Sequence, residues 1–411
     1  MGGSVADWRP LATSSLTLHR ATVTFAEDSP KGQGLEGRIL QNRYRVLSRI
    51  GAGAAGSVWK AVDMTLRRKV AVKILHPEKT EKQHLLQRFY REARKASQLS
   101  HPNSVTVHDF GRTEDDTFFL VMEYLHGLSL KAVLEREGFI APGRATYIVK
   151  QVCDSLAEAH GLGMIHRDLK PDNIFLTAKG EQCDVVKLVD FGLAKTLGSQ
   201  TDFVTQQGTP GTPNYMAPEQ IAEQKADARS DLYSLGAVVY TILTGTPVFR
   251  GKQQLVEVLF AHVNDAPDPM SQRAPERRVP ADLEAIVLKL LAKNPDERHQ
   301  TAAEVKDALA STVVAGTWFD ADSRDAWSGY DLAPEDEDES LFDDLGGPAE
   351  PEQVVGPPSK VVTMDSTGMR PHAQPTVELP AARRRVPWAL LVGVTLGVAV
   401  ATAAVVWFLA P

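Results

Sequence analysis

The sequence predicts an α+β protein of two lobes, the first built on strands and the second on helices. Three observations carry this. Between Tyr44 and Leu75 apolar residues alternate in short runs broken by a glycine cluster, the period of half-buried strands. From about residue 128 the period changes to that of helices. Strands grouped first and helices grouped after them is the order of an α+β fold, not of alternating βαβ units.

Residues 1–43 are rich in Ser, Thr and Gly without a sustained period, and are expected to form a disordered arm. The first residues lack the basic and apolar regions of a secretory signal. Gly2 suggests a myristoylation site, but Ala6 stands where that motif needs Ser or Thr. Tyr44-Arg-Val-Leu-Ser-Arg-Ile50 opens the first strand, Val58-Trp-Lys-Ala-Val62 the second and Val70-Ala-Val-Lys-Ile-Leu75 the third. Residues 81–99 place Leu85, Phe89, Ala93 and Ala96 on one helical face. Phe118-Phe-Leu-Val-Met122 reads as a buried strand, and helices are expected at 144–161, 228–244, 281–292 and 301–311. The folded domain is therefore placed at 44–311.

Residues 312–386 are Pro-, Gly- and acid-rich, with Pro334-Glu-Asp-Glu-Asp-Glu-Ser340 at their most polar, and are expected to be a linker. Trp388 to Leu409 is a run of 22 residues without a charge. As a helix it is roughly 33 Å long, enough for a hydrocarbon core of about 30 Å, so 387–409 is expected to span a membrane. Arg383, Arg384 and Arg385 precede it and Trp388 and Trp407 sit near its ends, which places the long N-terminal part in the cytoplasm of an inner-membrane protein. No sensor domain is expected beyond the span, and signals are expected to enter through the arm, the linker, a membrane partner or lipid. Within the span, Gly393 and Gly397 form a G-x-x-x-G that favours close helix pairing and hence a homodimer.

Of the 411 residues 43% are hydrophobic and 24% charged, a globular composition that excludes a wholly disordered or collagen-like chain. The net charge of −7 is local: residues 320–352 hold thirteen acids and one base, Arg324, leaving the rest at +5. A mildly basic domain beside an acidic tail lacks the dense basic face of a nucleic-acid binder. Cys153 and Cys183 are too few for a disulfide framework and lack zinc spacing, which favours a reducing compartment.

The chemistry lies in a series of blocks. Gly51-Ala-Gly-Ala-Ala-Gly-Ser-Val58 fits G-x-G-x-x-G-x-V. A dinucleotide fold would follow such glycines with a helix and an acid about 20 residues on; here a strand follows, and Lys73 stands 22 residues after Gly51. Glycines let a backbone cover a triphosphate closely, and a lysine on the next strand can neutralise it. Glu92 lies on the following helix, where it can fix that lysine or simply face solvent. Further on come His166-Arg-Asp-Leu-Lys-Pro-Asp-Asn173, Asp190-Phe-Gly192 and Thr212-Pro-Asn-Tyr-Met-Ala-Pro-Glu219.

In that order and spacing these blocks resemble the eukaryotic-type protein kinase family, in its bacterial membrane-anchored serine/threonine branch, over about residues 44–310. The resemblance implies a bilobal kinase fold and transfer of the γ-phosphoryl group of ATP to Ser or Thr hydroxyls of proteins, the chain itself included. It implies magnesium, with manganese as a substitute, held by Asn173 and Asp190. Asp168 then accepts the hydroxyl proton, Lys170 approaches the γ-phosphate, and Lys73, paired with Glu92, holds the α- and β-phosphates. Ile50, Gly51, Ala52, Gly53, Gly56, Val58 and Ala71 would enclose the nucleotide. Met122 matches the gatekeeper position, and backbone groups of Glu123 and Leu125 would meet the adenine edge.

Asp231 resembles the residue that anchors the catalytic loop, and Arg298 the one that pairs with Glu219. Lys170 fits the Ser/Thr pattern, and Arg167 marks activation by phosphate. Ser199, Thr201, Thr205, Thr209 and Thr212 are candidate acceptors, Thr205 first and Thr209 second. Two other classes share part of this pattern. A pseudokinase scaffold would have lost one of Lys73, Asp168 or Asn173, all of which are present. A small-molecule kinase would not need the Ala217-Pro-Glu block and the Thr212 turn, which build a peptide platform.

Overall fold

Six strands form the first sheet: β1 (Ile39–Leu40), β2 (Tyr44–Gly53), β3 (Gly56–Asp63), β4 (Arg68–Leu75), β5 (Val107–Arg112) and β6 (Phe118–Glu123). They run antiparallel in the order β1-β2-β3-β4-β6-β5. The structure, a computed structural model, describes residues 34–53, 56–75, 90–113, 118–180, 182–191, 212–222, 226–252 and 254–330. The strand alternation buries Val46, Trp59, Val72, Phe119 and Val121 in one cluster on one side of the sheet. On the other side, helix α1 (residues 90–96) adds Ala93 to Leu75, Phe118 and Leu120.

The second lobe holds a small antiparallel sheet of β7 (Gly127–Ser129), β8 (Ile174–Lys179) and β9 (Gln182–Leu188). Around it lie helices α2 (Leu130–Glu137), α3 (Pro142–Gly161), α4 (Pro218–Ile221), α5 (Ala228–Thr244), α6 (Leu255–Asn264), α7 (Met270–Arg273), α8 (Ala281–Leu290) and α9 (Ala302–Ala310). Central α5 shows why the sequence folds this way. Asp227 caps it by accepting the Arg229 N–H at 2.8 Å, and every residue from Ser230 to Thr244 is buried. It ends at Gly245, whose φ of 76° is left-handed and whose missing Cβ would stand 2.3 Å from the Gly138 carbonyl oxygen. A parallel bridge between Ser104 and Leu188 ties the two lobes.

The structure extends the expected domain at both ends. Residues 39 and 40, assigned to the arm, add β1 to the sheet; Leu40 is buried and Leu35 packs on the same cluster. The larger difference lies after residue 311. Helix α10 (Asp320–Ser328) packs on β9, so the start of the expected linker belongs to the fold. Composition misled because Asp320, Asp322 and Asp325 all face solvent while Ser323 and Trp327, four apart on the helix, face inward. Trp318 and Trp327 donate their indole N–H groups to Asp184 of β9, at 3.1 and 2.8 Å. Asp184 is fully buried and also accepts from Arg144 of α3 at 2.9 and 2.8 Å. Arg144 reaches on to Glu137 at 2.6 Å, and the Tyr330 hydroxyl donates to the same carboxylate.

Among the described residues no helix is long and apolar enough to cross a membrane. The expected span at 387–409 with Gly393 and Gly397, the linker beyond residue 330, and Thr205 and Thr209 lie outside the described residues.

Candidate active site

The site is assembled at the junction of the two sheets. Strands β2 and β3 end with Gly53 paired opposite Gly56. Gly56 has φ of 140°, and a Cβ there would stand 2.0 Å from the Ile74 carbonyl oxygen of β4, so only glycine lets these strands close. Gly51 pairs with Val58, and Val58 in turn with Lys73 on β4. Ala71 lies across from Met122 of β6. Ala71, Val105 and Met122 form a buried cluster flanked by Val58, Tyr124 and Val189. Ile50 is exposed beside Gly51 and Ala52, while Glu123 and Leu125 continue the chain out of β6.

Below this, one buried carboxylate shapes the loop 166–173. Asp231 of α5 accepts the backbone N–H groups of His166 and Arg167, both at 2.8 Å, and its Oδ2 lies 2.8 Å from His160 Nε2. The loop is thereby held with Arg167 at φ of 62°, a left-handed conformation that a non-glycine residue keeps only when its surroundings impose it. The ring of His166 is buried, its Nε2 2.9 Å from the Val189 carbonyl oxygen and its centroid 4.9 Å from that of Phe191. Burial pushes its pKa below the usual histidine value, more than the nearby Asp231 raises it.

Asp168 Oδ2 lies 3.1 Å from Lys170 Nζ. Asn173 donates its side-chain N–H to the Asp168 carbonyl oxygen at 2.7 Å and to Oδ2 at 3.2 Å, which turns its amide oxygen the other way. The Val189 N–H donates to the Asn173 carbonyl oxygen at 2.9 Å and so sets Asp190 beside Asn173. Two hard oxygen donors, one amide and one carboxylate, suit magnesium, which takes few protein ligands and completes its shell with phosphate and water. Asp190 also has a left-handed φ, 63°.

One expected pairing is not formed. Lys73 Nζ lies 2.7 Å from Asp190 Oδ1, and Glu92 pairs with its neighbour Arg91 at 3.1 Å. Lys73 is almost fully buried, and the Asp190 carboxylate reaches it from across the cleft, while Glu92 has a cation next to it on its own helix. Arg91, Glu92, Lys95, Arg167 and Phe191 line a cavity of about 240 Å³ beneath α1.

The Ala217-Pro-Glu block is fixed as expected. Arg298 makes a two-armed pair with Glu219 at 2.8 and 2.9 Å, and Ser230 donates to the same carboxylate at 2.6 Å. Burial opposes ionisation of Glu219, but these hydrogen bonds outweigh it and hold its pKa below the usual carboxylate range. Thr212 opens a short 3-10 turn, Thr212–Tyr215, over the loop. Lys187 and Asp184, both on β9, were not anticipated; a lone Lys and a lone Asp in a short strand carry no sequence signal.

A family model for the protein kinase domain matches residues 44–312. The chain is 39% identical over 302 residues to serine/threonine-protein kinase pkn3 of Myxococcus xanthus, covering 72% of this chain and 55% of that protein. It is 42% identical over 274 residues to serine/threonine-protein kinase PknB of Mycolicibacterium smegmatis, covering 66% and 43%. It thus spans about half the length of the curated relatives it matches. The crystal structure of the PknI kinase domain of Mycobacterium tuberculosis is similar at a TM-score of 0.53 and 26% identity, covering 67% of this chain and 97% of that one. With the two lobes, the Asp231-held loop and the Glu219–Arg298 pair in place, the chain belongs to the protein kinase domain family.

Proposed function

We propose that the chain is a serine/threonine protein kinase that transfers the γ-phosphoryl group of ATP to protein hydroxyls, its own included. The observation that carries this is the grouping of Asp168, Lys170 and Asn173 on one rigid loop, with Asp190 alongside and Lys73 facing it. Asp168 orients the acceptor hydroxyl and takes its proton, and Lys170 offsets charge on the group in transfer. Asn173 and Asp190 hold magnesium, or manganese in its place, which when bound neutralises phosphate charge. Lys73 serves the α- and β-phosphates, which requires it to exchange its Asp190 contact for them. The glycine turn with Ile50, Ala52 and Val58 covers the nucleotide, and Ala71 and Met122 enclose the base. The Glu123 N–H donates to the Thr106 carbonyl oxygen, so its adenine contact falls to the carbonyl and the second contact to the Leu125 backbone.

Regulation is read from charge. Arg91, Lys95 and Arg167 share one cavity wall, an attractive place for a phosphate of about −1.5 to −2 charge on Thr205 or Thr209. The run from Trp388 to Leu409 anchors the chain in the inner membrane with the kinase domain cytoplasmic, and Gly393 and Gly397 pair two copies so that each phosphorylates the other. Incubating the purified chain with labelled ATP, magnesium and a generic protein substrate tests the activity. Phosphoserine and phosphothreonine on the substrate and on Thr205 or Thr209 are expected. Absence of transfer, or transfer only to tyrosine, overturns the reading.

A further inference from the structure

One carboxylate in the nucleotide cleft is bonded from both lobes. Glu123, the last residue of β6, accepts the Thr106 backbone N–H at 2.7 Å and the Lys187 ammonium at 2.7 Å, both on Oε1. Thr106 immediately precedes β5 of the first sheet, and Lys187 belongs to β9 of the second lobe. The Glu123 N–H returns to the Thr106 carbonyl oxygen at 2.9 Å, so the end of β6 is locked to that segment through backbone and side chain together. Lys187 also donates to the Ser104 carbonyl oxygen at 3.4 Å. On either side of it, Leu188 N–H donates to Asn103 O at 2.7 Å and Val105 N–H to Leu188 O at 3.0 Å. Lys187 and Glu123 are 17% and 25% exposed, so the pair is partly withdrawn from solvent screening.

This links two halves of the cleft. Lys187 stands three residues before Asp190, and Glu123 begins the backbone assigned to the adenine edge. We propose that Lys187 is a positioning residue for nucleotide: its bond to Glu123 fixes the distance between the base-contacting backbone and the strand that delivers Asp190. The proposal rests on the adenine and metal assignments above. Lys187 touches neither nucleotide nor acceptor. Its loss therefore weakens nucleotide binding and leaves peptide affinity and the chemical step close to unchanged. A partly buried charge-assisted bond of this kind corresponds to roughly fivefold in affinity.

The test uses the full chain and the variants Lys187→Met, Lys187→Arg and Glu123→Gln. ADP affinity with and without magnesium is measured by calorimetry, and KM for ATP and for peptide are measured separately. Lys187→Met should weaken ADP about fivefold and raise KM for ATP alike, with peptide KM and kcat within about twofold of wild type, and Glu123→Gln, which removes the charge that Lys187 meets, should weaken ADP as well. Their combination should cost less than the sum of the two, because they share the Lys187–Glu123 bond. Lys187→Arg should restore affinity, since a guanidinium also reaches the carboxylate. Ala71→Leu, which fills the base site, separates the two levels of failure. If Ala71→Leu leaves ADP affinity intact, the adenine assignment is wrong. If it abolishes binding while Lys187→Met binds as wild type, the clamp is wrong. Equal losses in peptide KM and nucleotide affinity would also overturn it, because that pattern reports general damage.

Discussion

Two buried carboxylates organise different segments of the helical lobe, and they do it with different donors. Asp231 takes two backbone N–H groups of the catalytic loop and a neighbouring imidazole. Asp184 takes no such loop; its four donors are side-chain groups of Arg144, Trp318 and Trp327, from segments 40 to 143 residues away in sequence. A carboxylate that gathers backbone groups fixes the path of one chain whatever its side chains are, which suits a loop whose side chains do chemistry. A carboxylate that gathers side chains joins distant segments and so decides where the domain ends. Removing the first should damage rate; removing the second should damage stability.

The largest effect is expected at Asp184. Asp184→Ala leaves Arg144 buried with only part of its pairing and orphans the Trp327 indole N–H, while the Trp318 N–H keeps Ser323 Oγ at 2.8 Å, at a cost of about 3 kcal/mol or more. Chemical denaturation should report that loss, while kcat of the molecules that remain folded stays near wild type. A variant with normal stability would break the comparison on this side.

Asp231→Ala breaks it on the other. The loop 166–173 then loses the acceptor for two of its N–H groups, and a displacement of about 1 Å at Asp168 costs roughly 100-fold in rate. A kcat within a few-fold of wild type would show that Asp231 is not what holds the loop.

Acid tests a third kind of buried group. His262 of α6 is 1% exposed, with Nδ1 3.0 Å from the Tyr233 hydroxyl. Burial, and next the charge of Lys293, push its pKa down to about 3. In the unfolded chain it takes a proton near 6.5, so between these values the unfolded state binds more protons. Its contribution is complete above about pH 6.5 and falls as the pH drops towards 3. Between pH 6.5 and 5 that is about 2 kcal/mol. His108, His166 and His299, also lowered chiefly by burial, act in the same direction. Unfolding free energies at pH 7 and pH 5 should differ accordingly, and His262→Gln should flatten the slope; a steeper slope in the variant contradicts the assignment.

The smallest effect separates the donors to Asp184. Trp318→Phe keeps most of the ring and removes one N–H from Asp184, which retains three donors, at about 1 kcal/mol. A loss as large as that of Asp184→Ala would mean the ring's packing, not its N–H, carries the contact.

The same contrast governs what could be read in the sequence. Strands β2, β3, β4 and β6 and helices α3, α5, α8 and α9 follow from apolar residues recurring at the strand or helix period, which pack into the large buried clusters. Strand β5, Val107-His-Asp-Phe-Gly-Arg112, has no buried residue except Gly111 and shows no such period. Strand β7 has only three residues, and β8 and β9 carry mixed burial. Helix α10 lies wholly in an acidic stretch: its inward residues, Ser323 and Trp327, are outnumbered by exposed acids. The cleft was legible because its residue types follow from phosphate, metal and proton chemistry in fixed order. Partner choice within it was not: Lys73 meets Asp190 and Glu92 meets Arg91, since several opposite charges lie within reach and only three dimensions decide among them.

The central claim is that the loop held by Asp231 carries a phosphoryl-transfer centre with separable roles for binding and chemistry. Asp168→Asn tests it most directly, with ADP affinity and transfer measured on the same preparation. The expected result is ADP affinity within about twofold of wild type and transfer reduced roughly 1,000-fold, because the hydroxyl loses its proton acceptor while the phosphate-facing residues stay in place. Transfer near the wild-type rate would contradict the account.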